Sequence, residues 1–558
     1  MSTASLVTAE RAPRAPSAQP RVSVVVPVFR PGAGIDELIA SLDRQTLPAS
    51  QFEVLLCDDG SGDSTLGRLE QIAAARPHVR VLPLSHTGWP GTPRNHGIDA
   101  ASGMYVFFAD QDDRLFEGAL QRLCDYADEQ ESDVVIGRVV GVGRPIPRAI
   151  FRRDVPQAVL GTDPLLELLT PHKLFRTEFL RRNAIRFPDG RVRLEDHLFV
   201  MKAYFTAGTI SILASAPCYA WLKNKGSASS SRIDPATYFP HLERVLDLVE
   251  ENTEPGALRD DLLRHWYRGK ILSRLGGRRM LRYPDDYRAR FLDVVVPIVR
   301  SRFSEAVERE LPLPLRVRSV LLRHGHRDQL LRLAEFEAAM TCEADVASVR
   351  WTRLGKLVLT VRYRFVRGGE DALLFSDAAD STTDAGRPGV RPVSQWRPPE
   401  GLAEVLDPAI LDATGDLQRD HATLAIRDPS GEERRVRGRM SLGGTTAAFT
   451  IDPVHLYARG DRSAGGALVT RVRHAGWSFD APLTADPAMI ARVRRSPLLA
   501  GRTVELRSDP EGTVEMRRGG PHGRRRDAVA RAARRAWAFA RSASRALRAS
   551  ESPPPPAR

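Results

Sequence analysis

The sequence predicts an α/β N-terminal domain with a doubly wound, mostly parallel sheet, then a helical linker, then one or two C-terminal β-sandwich modules. Three observations carry this reading. Over residues 21–234, short apolar runs alternate with segments whose apolar residues recur at helical spacing. Over residues 235–337 only the helical period remains, in Leu/Arg-rich stretches. From 338 to 516 apolar residues largely alternate one by one, punctuated by Gly, Asp and Pro.

The elements follow in order. Val22-Ser23-Val24-Val25-Val26-Pro27-Val28 is nearly continuous in apolar character, as a strand buried on both faces requires. Ile35, Leu38, Ile39 and Leu42 mark a helix. A second buried strand, Phe52-Glu53-Val54-Leu55-Leu56-Cys57, ends at Asp58-Asp59-Gly60-Ser61-Gly62-Asp63. Leu66, Leu69, Ile72 and Ala73 give the next helix, residues 79–84 a third strand, and residues 95–101 a further helix. A fourth strand, Tyr105-Val106-Phe107-Phe108-Ala109, runs into Asp110-Gln111-Asp112-Asp113. Ligands bind beyond the carboxyl ends of strands in such sheets, so both acidic clusters are expected on one edge. Helices are expected over 258–275 and 315–333, and strands around Val349-Arg350-Trp351, residues 356–363 and residues 422–426.

The 558 residues exceed one hydrophobic core, and three or four domains of about 150 residues are expected. With 42% hydrophobic and 27% charged residues the chain is a folded one. Cys57, Cys124, Cys218 and Cys342 lie far apart without CxxC or zinc spacing, which points to a reducing compartment. No apolar run approaches ~18 residues, and residues 1–20 read as a disordered leader without a secretory h-region. A cytoplasmic protein is expected, peripheral on the inner face of the membrane.

The net charge of +13 is concentrated at one end: residues 517–548 hold eleven arginines against Asp527 alone. Val529, Ala533, Ala536, Ala540, Ala543 and Leu547 recur at helical spacing there, so 517–558 reads as a basic amphipathic helix (524–548) and a disordered tail. It suits anionic lipid or an anionic polymer; nucleic acid is not expected, since no nucleic-acid-binding motif accompanies it.

Three carboxylates directly after a buried strand repel one another and raise each other's pKa. A hard divalent cation, Mn²⁺ or Mg²⁺, removes that cost and binds few carboxylates together with phosphate oxygens. The alternative is an acidic turn that opens a helix over 117–127 with Asp113 as N-cap.

The β/α region as a whole resembles the family-2 glycosyltransferases of the GT-A fold. The resemblance covers residues 21–231 and rests on four motifs in order: Val24-Val25-Val26-Pro27-Val28-Phe29, Cys57 to Ser64, Arg94-Asn95-His96-Gly97-Ile98 and the Asp-Gln-Asp-Asp turn. It implies that Pro27 and Val28 line the base pocket, that Asp59 accepts from a uracil imide and that Arg94 holds the nucleotide. Asp110 would face the ribose, and Asp112 would ligate the metal.

Displacement at an anomeric carbon also needs a base for the acceptor hydroxyl. Arg193-Leu194-Glu195-Asp196-His197 resembles the family's Glu-Asp motif, with Asp196 as general base and Glu195 as its acceptor-contacting neighbour. The same two acids would also favour the start of a helix over 197–207. His172-Lys173-Leu174-Phe175-Arg176 matches the family's segment before the base, and His172, Lys173 and Arg176 are candidate substrate contacts. Lys223, Lys225 and Ser227 belong to a loop able to close over a diphosphate. The Gln-x-x-Arg-Trp motif of processive synthases is absent, which points to transfer of single sugars.

The layout resembles the wall teichoic acid glycosyltransferases. It implies an inverting enzyme that moves a sugar from a UDP-sugar such as UDP-GlcNAc to a hydroxyl of a polyanionic cell-surface polymer, with homo-oligomerisation through the C-terminal β-modules. Capsular or exopolysaccharide assembly is the near alternative. A nucleotidyltransferase would carry a Gly-rich basic loop after its first strand, which Phe29-Arg30-Pro31-Gly32 is not. A non-catalytic polymer-binding protein would not need Asp110, Asp112, Glu195 and Asp196 together.

Overall fold

The computed structural model describes residues 19–223, 232–378, 393–427, 433–435, 440–443, 445–452, 465–493 and 504–518. The chain forms two compact units: one runs through Tyr267 and includes Ala289–Val307, the other holds Arg268–Arg288 and the chain from Glu308. Lys225, Ser227 and the expected 524–548 helix lie outside the described residues.

The first unit opens with β1 (Val22–Val28), α1 (Gly34–Asp43), β2 (Phe52–Asp58), α2 (Thr65–Ala74), β3 (Val79–Pro83), α3 (Gly91–Ala100) and β4 (Tyr105–Phe108). β5 (Arg114–Leu115), α4 (Ala119–Glu129), β6 (Val134–Val142), β7 (Leu174–Arg176), α5 (Thr177–Arg182), α6 (Glu195–Thr206) and β8 (Ile210–Leu222) complete the sheet region. The eight strands lie in the order β3-β2-β1-β4-β7-β6-β8-β5. β1 pairs in parallel with β2 and β4, and β2 with β3. Every residue of β1 and β2 is buried, which explains their unbroken apolar character.

Beyond β4 the sheet is mixed. β7 runs antiparallel to β4 and β6, and β6 is parallel to β8. That reversal separates residues that are neighbours in sequence. β7 enters at the site end of β4 and leaves at its start, pairing Phe107 with Leu174 and Tyr105 with Arg176. α7 (Pro235–Glu251) and α8 (Ala257–Trp266) also belong to the first unit.

The helix expected over 258–275 stops at Trp266 and gives way to a π-turn, Tyr267–Ile271, and a 3₁₀ turn, Leu272–Arg274. Gly269 inside the π-turn disfavours a continuous α-helix. The helix expected over 315–333 is two, Leu313–His324 and Arg327–Ala339, because Gly325 takes a left-handed φ of 77°. Helices thus fill the 235–337 region, but they are shared between the two units.

In the second unit, strand Leu357–Arg367 buries Leu357, Leu359, Val361, Tyr363 and Phe365, one residue in two. It sits in a five-stranded antiparallel sheet; strand Gly465–His474 sits in a six-stranded one. The Phe365 ring stacks on His474 at 4.6 Å, and the buried Tyr363 and Thr470 hydroxyls meet at 2.9 Å. Two sheets joined face to face in this way are the expected β-sandwich. Among the described residues, no helix is long and apolar enough to cross a membrane.

Candidate active site

The carboxyl ends of β1, β2 and β4 converge as the topology predicts. Val28 pairs with Asp58, and the Ala109 amide donates to Val25 at 3.1 Å. Around them lies a cavity of about 840 Å³, lined by Pro27, Val28, Asp59, Arg94, Asp110, Asp112 and Glu195 among others. Residues from five separated segments therefore meet in one concave site.

Asp112 and Asp110 face this cavity, but Asp113 does not. It is 2% exposed, accepting from the Tyr219 hydroxyl at 2.7 Å and from the Leu222 amide at 2.7 Å. The Tyr219 hydroxyl in turn accepts from the Asp110 amide at 2.9 Å. Asp113 is therefore no helix cap; α4 starts after Gly118, whose φ is 72°. Gln111 clamps the end of β1, accepting from the Phe29 amide at 2.8 Å and donating to its carbonyl at 3.0 Å.

Arg94, buried in α3, donates to Asp110 at 2.8 Å and lies 3.9 Å from Glu195. Its neighbours explain the rest of that motif. The Asn95 amide bonds both the Phe187 amide and its carbonyl, each at 2.9 Å. Gly97 faces Val25 so closely that a Cβ there would meet it at 2.2 Å. His96 is exposed.

The base candidates stand on the first turn of α6. Leu194 before them holds a left-handed φ of 63°, an uncommon conformation for a bulky residue, and strain of this kind gathers at functional sites. Phe187 stacks on Phe199 of α6 at 3.9 Å, and both meet Phe108 edge-on. Glu195 lines the cavity, and Asp196, the next residue in the chain, is partly exposed. His197 accepts from the buried Trp266 indole at 3.1 Å.

Burial opposes ionisation of Asp110, yet His172 and Arg94 outweigh it and hold its carboxyl below the usual range. Burial pushes Asp113 up to about 7, with His172 opposing and Asp110 adding to the rise. Burial and then Asp196 raise Glu195, against Arg94. The site thus shifts the acidities of neighbouring carboxylates in opposite directions.

Asp110, Asp113 and His172 bring potential ligand atoms within 4.8 Å of one another. Both Asp113 oxygens already accept hydrogen bonds, and Asp110 faces Arg94 and His172. This cluster is a braced network. Asp112, the partly exposed hard-oxygen donor on the cavity wall, fits Mn²⁺ or Mg²⁺ better.

The remaining expected contacts divide between the cavity and places away from it. Lys173 is 0% exposed and donates to the Leu168 carbonyl at 2.9 Å and to that of Thr170, so it does not face substrate. Arg176 stacks over Tyr105 at the far end of β4, because β7 runs antiparallel. His172 is 2% exposed and stacks on Tyr219 at 4.4 Å. Lys223 directly follows β8, its amide donating to the Val142 carbonyl at 3.0 Å. Asp59 is buried, and its carboxylate accepts from the Thr87 amide and hydroxyl and from the Gly88 amide at 2.6–2.9 Å. It holds the 86–88 loop in place. A Thr-Gly-Trp-Pro turn at the carboxyl end of β3 was the signal for that loop.

Residues 23–188 match the model "Glycosyl transferase family 2", and residues 235–334 match "Glycosyl transferase TarS linker domain". The chain carries a family-2 glycosyltransferase domain. Poly(ribitol-phosphate) beta-glucosyltransferase of Bacillus spizizenii is 33% identical over 233 residues, 41% of this chain and 37% of that protein. Poly(ribitol-phosphate) beta-N-acetylglucosaminyltransferase TarS of Staphylococcus aureus is 35% identical over 247 residues, 44% of this chain and 43% of the relative. The match thus spans about two fifths of these relatives' length.

A crystal structure of S. aureus TarS 1-349 in complex with UDP-GlcNAc superposes with a TM-score of 0.51 at 25% identity, over 63% of this chain and 98% of that one. A longer TarS structure gives 0.50 at 20% identity over 90% of this chain and 86% of that one, a likeness of fold. The glycosyltransferase domain is therefore GT-A, and the whole layout is similar to that of the wall teichoic acid glycosyltransferases.

Proposed function

We propose that this chain is an inverting, non-processive glycosyltransferase that moves a sugar from a UDP-sugar such as UDP-GlcNAc to a hydroxyl of a polyol-phosphate polymer of the teichoic acid type. One observation carries the reading: Arg94 joins Asp110 of the Asp-rich turn to Glu195 of the base helix within a single cavity. A donor diphosphate beside Asp110 and Asp112 and an acceptor beside Asp196 then share one reaction centre.

Asp196 takes the proton of the acceptor hydroxyl as its oxygen bonds to the anomeric carbon. The bond from that carbon to the diphosphate oxygen breaks on the opposite face, and the nucleoside diphosphate leaves with the electron pair. Glu195 positions the acceptor, and Arg94 lies between the two halves of the site. Mn²⁺ or Mg²⁺ held by Asp112 would supply positive charge to the departing diphosphate. The polymer acceptor is supported by what the named relatives act on. Capsular or exopolysaccharide transfer uses the same chemistry with another acceptor. We assign the protein to the cytoplasmic face of the membrane, the basic 524–548 segment to anionic surfaces and the C-terminal β-sandwich to self-association.

The test is sugar transfer from UDP-GlcNAc to poly(ribitol-phosphate), with Asp196→Asn compared to the wild type. Asn preserves shape but accepts no proton, so turnover should fall by about 10²–10⁴ with donor affinity unchanged. Equal turnover in the two proteins overturns the assignment of the base.

A further inference from the structure

We propose that His86 reads the nucleotide base, its Nε2 accepting a hydrogen bond from an imide N–H, so that the site selects uracil-type pyrimidines over cytosine. The inference rests on the reading of the cavity as a nucleotide-sugar site and names the residue that sets its base preference.

The tautomer follows from hydrogen bonding. His86 Nδ1 lies 2.8 Å from the Asp59 backbone carbonyl and 3.2 Å from the Asp59 carboxylate. Both partners only accept, so Nδ1 carries the proton. In the neutral ring Nε2 is then an acceptor, and it makes no hydrogen bond among the described residues. The ring is half exposed on the cavity wall and stacks on Phe29 at 4.6 Å and 24°.

The loop is built to present it. Gly60 (φ 61°) leaves room for the His86 backbone, which a Cβ would approach to 2.8 Å. Gly88 (φ 73°) leaves the space next to Nε2 open; a Cβ there would lie 3.5 Å from that nitrogen. Asp59 was the expected imide acceptor, but its oxygens serve Thr87, Gly88 and His86. The imidazole Nε2 is thus an acceptor on the cavity wall with no hydrogen bond among the described residues.

An imide base offers N3–H to this acceptor. Cytosine places a lone pair at N3, and N3-methyluracil has no proton there, so either leaves Nε2 facing a group it cannot bond. Titration calorimetry of the full chain with UDP, CDP and N3-methyl-UDP tests this, in the wild type, His86→Phe and His86→Asn. Phe keeps the stack without an acceptor; Asn restores a carbonyl acceptor. In the wild type UDP should bind about tenfold or more tighter than either analogue. Both ratios should fall at least about threefold in His86→Phe and recover in His86→Asn. Ratios unchanged in His86→Phe, with thermal melting intact, overturn the assignment to His86 and return it to Asp59. Equal wild-type binding of UDP and both analogues overturns imide reading while the nucleotide site stands. Absence of binding by all three overturns both.

Discussion

The Arg94 guanidinium donates to the Asp110 carboxylate across 2.8 Å, and this bond ties the turn after β4 to α3. The other end of the guanidinium lies 3.9 Å from Glu195 on α6. A single buried cation thereby fixes the spacing between the donor side and the base side of the cavity.

Replacing it by Arg94→Met should leave Asp110 facing His172 and remove from Glu195 the cation that opposes the effect of Asp196. Breaking a buried pair in this way costs on the order of 3 kcal/mol, and partial exposure of Asp110 places the effect at the lower end. Turnover should fall about 100-fold, with Arg94→Lys recovering only part of it because Lys cannot span both carboxylates. Steady-state kinetics and thermal melting check this; wild-type kinetics in Arg94→Met would refute the linking role.

Metal should enter through Asp112. Stripping divalent ions with a chelator should abolish transfer, and Mn²⁺ or Mg²⁺ should restore it in the wild type. Asp112→Asn should need at least about tenfold more metal for half-maximal activity. Titration calorimetry with Mn²⁺ in the presence of UDP gives the same comparison without turnover. An unchanged metal requirement in the variant would move the ligand to another residue.

Lys173 makes stability depend on pH. Burial lowers its pKa to about 7, with Asp196 opposing, whereas in the unfolded chain it keeps the ordinary value near 10.5. Between these values the unfolded state binds more protons than the native one, so native stability rises with pH across that window. Below the lower value the full cost of the buried charge is felt. Lys173→Met removes this contribution, so the stability of wild type minus variant should grow from pH 7 to pH 10. Denaturant unfolding at several pH values measures it, and a constant difference would contradict the argument.

Gly97→Ala tests the packing of α3 on β1. Alanine ordinarily favours a helix over glycine by ~1 kcal/mol. Here the new Cβ would lie 2.2 Å from Val25, and overpacking costs ~1–3 kcal/mol. The clash should win, lowering the melting temperature. Gly67→Ala is the control: it lies in α2 with nothing within 4 Å of the new Cβ, so it should stabilise. A stabilised Gly97→Ala protein would mean that the helix and strand are not packed this closely.

The strands that build the site were legible because burial on both faces leaves a continuous apolar signature, as in Val22–Val28. The acidic turns were legible because topology puts them at carboxyl ends, where Asp59, Asp110 and Asp112 do line one cavity. Arg176 was misplaced for the converse reason. A three-residue strand shows no direction in its sequence, and only its antiparallel pairing carries Arg176 away from the site. Lys173 reads in the sequence as a candidate substrate contact, but its surroundings are decided by the carbonyls of Leu168 and Thr170, neither visible as a partner in sequence.

The order of local elements and the chemical types at strand ends are legible in the amino-acid sequence alone. Periodicity and turn composition are local properties of the chain. Which carboxylate is buried and which faces the cavity depends on the folded chain. Asp112 and Asp113 are adjacent and identical in type. One lines the cavity, and the other is 2% exposed beneath the Tyr219 hydroxyl. Protonation, ligand capacity and access follow from burial and partners contributed by β8, more than a hundred positions away.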